Sequence, residues 1–213
     1  MAAAVCGCAS ASASQNGGQM DAPFGNGGDG SSGDTDGSTQ RDAPESSGSC
    51  TSPFTGVLAT WDFTGAAGNQ ASTSSSMTAT GVSAGDVARS ASVTASSGSN
   101  SINSSNWTTG ASPDPTKFYT FGLQPPNGCS MSLTSLAVDA KASGTGPAAA
   151  SVATSDDSFT AMSTVAPNST STPSLSVNAS TAMVEIRIYG YSATGTSGTM
   201  RIENTLTVSG SLQ

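Results

Sequence analysis

The stretch Glu185–Val208, EIRIYGYSATGTSGTMRIENTLTV, decides the fold. It holds two runs in which bulky and polar residues alternate, joined by a Gly/Ser/Thr segment. Successive side chains of an extended chain point to opposite faces, so Ile186 and Ile188 share one face of the first run. Met200 and Ile202, then Leu206 and Val208, form the matching row of the second. The reading is a strand, a turn and a partner strand, a pair whose inward aliphatic rows close a sheet structure.

Upstream segments repeat this pattern. GVLATWDFTG (56–65) and TKFYTFGLQPPNG (116–128) set β-branched and aromatic residues between Gly and Pro breaks. CSMSLTSLAVDA (129–140) alternates Met131 and Leu133 with polar neighbours and continues through Leu136 and Val138, and SLSVNASTAMVEIRIYGY (174–191) adds Leu175, Val177 and Val184. A train of short alternating segments with turn signals between them predicts an all-β chain, an antiparallel β-sandwich of roughly eight to ten strands, jelly-roll-like, over residues 51–213. Composition agrees: aromatic residues are 5% and charged residues 9% of the chain. Side chains this small cannot fill a thick globule, but they can fill the gap between two facing sheets. No apolar run reaches 18 residues, so no transmembrane helix is expected.

Composition also excludes functions. The chain has no histidine, so a His-dependent triad, a His-ligated zinc and a His proton shuttle are ruled out within it. The net charge is −8. Residues 1–50 carry six acids against Arg41, and residues 51–213 carry eight acids against five bases. Phosphate neutralisation needs clustered Lys and Arg, so neither nucleic acid nor an anionic lipid surface is an expected partner. The adjacent Asp156 and Asp157 would converge on one bond only if their stretch were a turn rather than a strand.

The first fifty residues differ in kind. Residues 9–50 contain scarcely an apolar side chain and read as a disordered Gly/Ser/Asp-rich linker. Before it, Val5-Cys6-Gly7-Cys8 resembles the end of a bacterial lipoprotein signal, which makes residues 1–8 a signal remnant and Cys8 the expected lipidation site. The alternative is a pair of unpaired or tail-to-tail cysteines. GDTDGSTQRD (33–42) has Gly37 in the wrong place for a calcium hand loop and no closing Glu, so it reads as solvated linker. Cys50 ends the linker and Cys129 lies in the turn-like PPNGCS (125–130), so each stands at the rim of a structured element. In an oxidising compartment the two could form a disulfide, the alternative being two isolated thiols.

A few residues could bind something. Trp61 lies in an alternating run and is expected in the core. Trp107, in the polar loop NSSNWTTG (103–110), is a candidate to stack on a sugar ring. Tyr189 and Tyr191 share a strand face and form either a small aromatic platform or a cover for the sheet. Asp62 and Asn204 sit near the two chain ends of the domain, where terminal strands often pair, and could share a structural calcium.

The order CSMSLTSLAVDAKASGTGP, then TSDDSF, then IRIYGYSATGTSGTMRIENTLTVSG resembles a functionally uncharacterised bacterial extracellular β-sandwich domain. That domain recurs in secreted, sorted-anchor and lipoprotein chains, sometimes beside hydrolase or nuclease domains. The resemblance covers residues 57–212 and is strongest at Ser143–Pro147, Tyr189–Tyr191 and Arg201–Asn204. It implies an accessory module outside the cytoplasm with a jelly-roll or galactose-binding-like fold. The expectation is a non-catalytic, monomeric, extracellular or surface-tethered binding module for a glycan or cell-surface polymer, with a lipid anchor. The alternatives are a structural or adhesive surface protein without a small ligand and a carboxylate-dependent hydrolase.

Overall fold

A computed structural model of the chain describes residues 49–213. The expectations for residues 1–8, Cys8 and most of the 9–50 linker lie outside the described residues. Sixteen strands and one short 3-10 turn run in the order β1 (Phe54–Asp62), β2 (Ala67–Gly68), β3 (Ser72–Thr73), β4 (Met77–Thr78), β5 (Ser83–Ala84), β6 (Val87–Arg89), β7 (Thr94–Ala95), β8 (Ser101–Ser105), β9 (Phe118–Gln124), β10 (Met131–Ala142), β11 (Pro147–Thr154), η1 (Ser155–Asp157), β12 (Ser163–Val165), β13 (Ser169–Ser171), β14 (Ser174–Ser180), β15 (Val184–Ala193) and β16 (Met200–Leu212). Eight strands have five residues or more, matching the expected number, and the other eight are pairings of two or three residues that carry no periodic signal.

The strands form two sheets, so the all-β sandwich read from the sequence is the observed architecture. The first sheet runs β13-β10-β16-β1-β4, with β14 also on β10, β8 on β16, and β2 and β7 on β8; the second runs β12-β11-β15-β9-β6-β3, with β5 on β9. All pairings are antiparallel except β2 with β8. Terminal strands pair as expected, β1 lying along β16 from Phe54 opposite Leu212 to Asp62 opposite Thr205.

The opening stretch needs a correction. β15 and β16 are not a hydrogen-bonded pair: β15 lies between β11 and β9 in the second sheet, and β16 lies between β10 and β1 in the first. The Gly/Ser/Thr turn therefore carries the chain across the sandwich. Both aliphatic rows point inward as read, but they belong to opposite layers. Two glycines permit this crossing: a Cβ on Gly198 would stand 2.1 Å from the Thr145 carbonyl oxygen, and one on Gly146 would stand 2.2 Å from that of Thr199. The crossing turn and the β10–β11 connection can touch only because both positions lack side chains.

The core holds Leu58, Trp61, Leu133, Leu136, Ile202 and Leu206 from the first sheet against Tyr119, Phe121, Leu123, Val152, Ile186 and Ile188 from the second. Leu133 and Leu136 are three residues apart, which an unbroken strand would place on opposite faces. A register shift between Leu133 and Ser135 against β16 inserts one extra residue and returns Leu136 to the interior. Large rings bridge the thin gap. Trp61 meets Phe121 edge-on with centroids 4.8 Å apart, and Trp107 meets Tyr119 at 5.3 Å. The Tyr119 hydroxyl donates to the Met200 carbonyl at 2.5 Å, joining the layers, and burial pushes that phenol far up from its ordinary value, so it stays a donor.

The lower pole is fastened covalently. Cys50 and Cys129 form a disulfide across 79 residues of sequence. Beside it Ser130 and Gln213 exchange backbone hydrogen bonds at 2.7 and 3.0 Å, so the domain's first residues, the start of β10 and the last residue of the sequence meet at one place. In the chain-entropy model a loop of this length contributes about 4 kcal/mol.

Candidate functional site

The expected ligand residues separate once placed in three dimensions. Trp107 is fully buried, 0% exposed. Asn106 turns the chain with a left-handed φ of 64°, which drops the next residue into the interlayer gap. There the indole nitrogen donates to the Ser104 carbonyl at 2.8 Å. The sugar-stacking expectation for Trp107 is thus overturned: the core lacks large side chains and takes both tryptophans, Trp61 donating to the Gly85 carbonyl at 3.0 Å.

Tyr189 and Tyr191 do share a face, the outer face of the second sheet, on which Glu185 and Arg187 also lie. Tyr189 is only 2% exposed, covered in part by the edge of Phe118 at 5.8 Å, so its ring is cover rather than platform. Tyr191 is half-buried. Of the ten aromatic residues in the described region, Trp61, Phe63, Trp107, Tyr119 and Phe121 are buried in the core, while Phe118, Phe159, Tyr189 and Tyr191 gather on this outer face.

Arg187 is the centre of that group. Its guanidinium carbon lies 4.3 Å from the centroid of Phe118 and 3.9 Å from that of Phe159. Phe118 comes from β9 on one side of β15, and Phe159 from the loop after β11 on the other, so the two rings bracket the cation. Its Nε donates to Glu185 Oε1 at 2.7 Å, and the Thr120 hydroxyl donates to the same oxygen at 2.8 Å. Burial pushes the Glu185 carboxyl up, yet the Arg187 and Thr120 hydrogen bonds outweigh it and hold the group below its ordinary value. Burial raises the Tyr189 phenol, and the neighbouring Arg187 draws it part of the way back.

Phe159 is held in place against backbone strain. Ser158 and Phe159 take φ of 61° and 62°, two successive left-handed residues with side chains, each costing roughly 1–3 kcal/mol. Three ties offset this. Phe159 N–H donates to the Thr154 carbonyl at 2.9 Å, the Asp157 carboxylate accepts from the N–H groups of Thr160 and Ala161 at 3.2 and 2.7 Å, and Glu185 N–H donates to the Ser155 hydroxyl at 2.9 Å. The adjacent Asp156 and Asp157 do lie in a turn, but the Asp157 carboxylate is engaged in fixing that turn.

Asp62 and Asn204 lie on paired strands as expected, yet their side chains engage different partners. Asp62 Oδ1 accepts from Thr64 N–H at 2.8 Å, and bonds from Thr64 hold its carboxyl below the ordinary value. The Asn204 amide donates to Asp139 Oδ2 at 2.7 Å from a residue at φ 56°, within a register shift of β16. Among the described residues, no three His, Cys, Asp or Glu side chains group closely enough to hold a metal ion. Nor is any described helix long and apolar enough to cross a membrane.

Arg187, Glu185, Phe118 and Phe159 were not singled out from the sequence. Parity with Tyr189 could have placed Glu185 and Arg187 on the outer face, but nothing in TSDDSF announces a ring over a cation some thirty residues away. Comparison with protein-family models, with curated proteins and with solved structures returns no match.

Proposed function

We propose that the chain is a non-catalytic accessory module that binds a glycan on the outer face of its second sheet. One observation carries this: in a chain so poor in aromatic residues, four rings lie outside the core on one face, around an arginine–glutamate pair. The fold needs large rings inside, so rings spent outside point to another use. Tyr191 and the free edges of Phe118 and Phe159 offer apolar surface to a pyranose ring, and Thr120, Glu185 and Arg187 offer donors and acceptors to its hydroxyls. The buried Trp107 takes no part.

The resemblance to extracellular sandwich domains supports a place outside the cytoplasm, and so does the Cys50–Cys129 bond, since disulfides persist in oxidising compartments. The Val5–Cys8 pattern supports a lipid anchor at Cys8. Burial of both tryptophans favours the second reading, a structural or adhesive surface domain with no small ligand. Screening the full chain on a glycan array separates the two. Binding that is lost in Tyr191→Ala, with folding intact, supports the module reading; no binding to any glycan supports the structural one.

A further inference from the structure

The geometry points to a carboxylate-bearing sugar as the ligand of the outer face, its acid group received by the terminal nitrogens of Arg187. This rests on the glycan reading above and names the substrate class. A guanidinium can be approached through its two flat faces, its Nε side or its Nη edge. Here the rings of Phe118 and Phe159 bracket the flat group, and Glu185 occupies Nε. Beyond Glu185, the Tyr189 hydroxyl is the polar group that stands beside the guanidinium. The side chain is 24% exposed, which leaves room for a ligand to reach the guanidinium beside that hydroxyl.

The other described arginines contrast with this. Arg89 is spent internally, its nitrogens donating to the carbonyls of Gly68, Gln70 and Asn103 and to the Ser104 hydroxyl. Arg201 pairs with Glu203, which also has Lys141 beside it, and among the described residues no aromatic ring lies over it. Among the described arginines, Arg187 is the one flanked by two aromatic rings. A guanidinium fork matches a carboxylate with two parallel bonds, and fixing it in advance removes the entropy otherwise lost in ordering a long side chain.

Charge narrows the class further. Residues 51–213 carry eight acids against five bases, so a densely charged polyanion would be repelled from most of the surface. The fitting ligand carries isolated carboxylates among neutral sugars. The rim agrees: Thr120 and Tyr189 place hydroxyls beside Arg187, and the half-buried Tyr191 continues the face along β15.

The test titrates the full chain with a xylo-oligosaccharide bearing one glucuronic acid branch, and with the same oligosaccharide after reduction of its carboxyl to a hydroxymethyl group. The expected result is tighter binding of the acid by roughly tenfold or more, the equivalent of one charge-assisted bond, with the preference abolished in Arg187→Gln. Arg187→Lys keeps the charge without the fork, so it should retain only part of the preference, and it serves if Arg187→Gln fails to fold. Equal binding of the two sugars overturns this inference and leaves the glycan reading standing. Binding of neither, with neutral glycans bound on the array, has the same effect. No glycan bound at all overturns both.

Discussion

The two faces of β15 teach different things. Inward, Val184, Ile186 and Ile188 pack against the facing layer, and their chemistry is dictated by the fold. Outward, Glu185, Arg187, Tyr189 and Tyr191 line a face on which Phe118 and Phe159 flank the cation, with a strained loop carrying one of the two rings. One strand thus carries a row dictated by the facing layer and a row that the facing layer does not dictate.

Breaking the inner side should give the largest effect. Trp107→Ala removes a fully buried ring from a thin core and is expected to cost about 3–5 kcal/mol in chemical denaturation, whereas Tyr191→Ala should cost under about 1 kcal/mol. A Trp107→Ala cost near that of Tyr191→Ala would return Trp107 to the surface. Next in size, Cys50→Ser with Cys129→Ser should lower stability by about 2–4 kcal/mol, read as a lower denaturation midpoint with the same β-sheet spectrum.

Smaller changes probe the outer side. Phe159→Ala removes one ring from Arg187 and should cost about 1 kcal/mol, because the lost cation–π contact and packing are partly offset by relief at a strained residue. Ser158→Gly, which keeps the ring and relieves its neighbour, should instead stabilise by roughly 0.5–1 kcal/mol. If both variants destabilised equally, the loop would not be strained. The smallest effect concerns pH. The folded Glu185 carboxyl lies below its ordinary value, so its contribution is complete above about pH 4.3 and is lost as pH falls through the lower folded value. Glu185→Gln should therefore lower the neutral portion of the stability curve slightly and flatten its acid limb, the variant and the parent converging at low pH.

The inner row was legible in the sequence and the outer one was not, for a physical reason. Period-two spacing reports which side chains share a face, and it located the aliphatic rows of β10, β15 and β16, while the pairing of the terminal strands followed from the habit of such sandwiches. It cannot report whether a turn returns the chain to the same layer or to the opposite one. Ile186 and Met200 look alike as strand neighbours and as residues facing each other across a core, hence the hairpin that became a crossing. The eight strands of two or three residues are too short to show a period. Trp107 sat among polar neighbours, and its burial follows from the left-handed turn at Asn106, which no alternation records. The disulfide was visible because both cysteines flanked structured segments. Phe159 over Arg187 depends on tertiary approach alone.

The outer face is tested most directly by amide chemical-shift mapping of the full chain titrated with the glucuronic acid-bearing oligosaccharide. Saturable shifts should concentrate on Phe118–Thr120, Ser155–Thr160 and Glu185–Tyr191, and in Arg187→Gln they should need roughly tenfold more oligosaccharide to saturate. Saturable shifts confined to the disulfide pole or to the first sheet would contradict the assignment of that face.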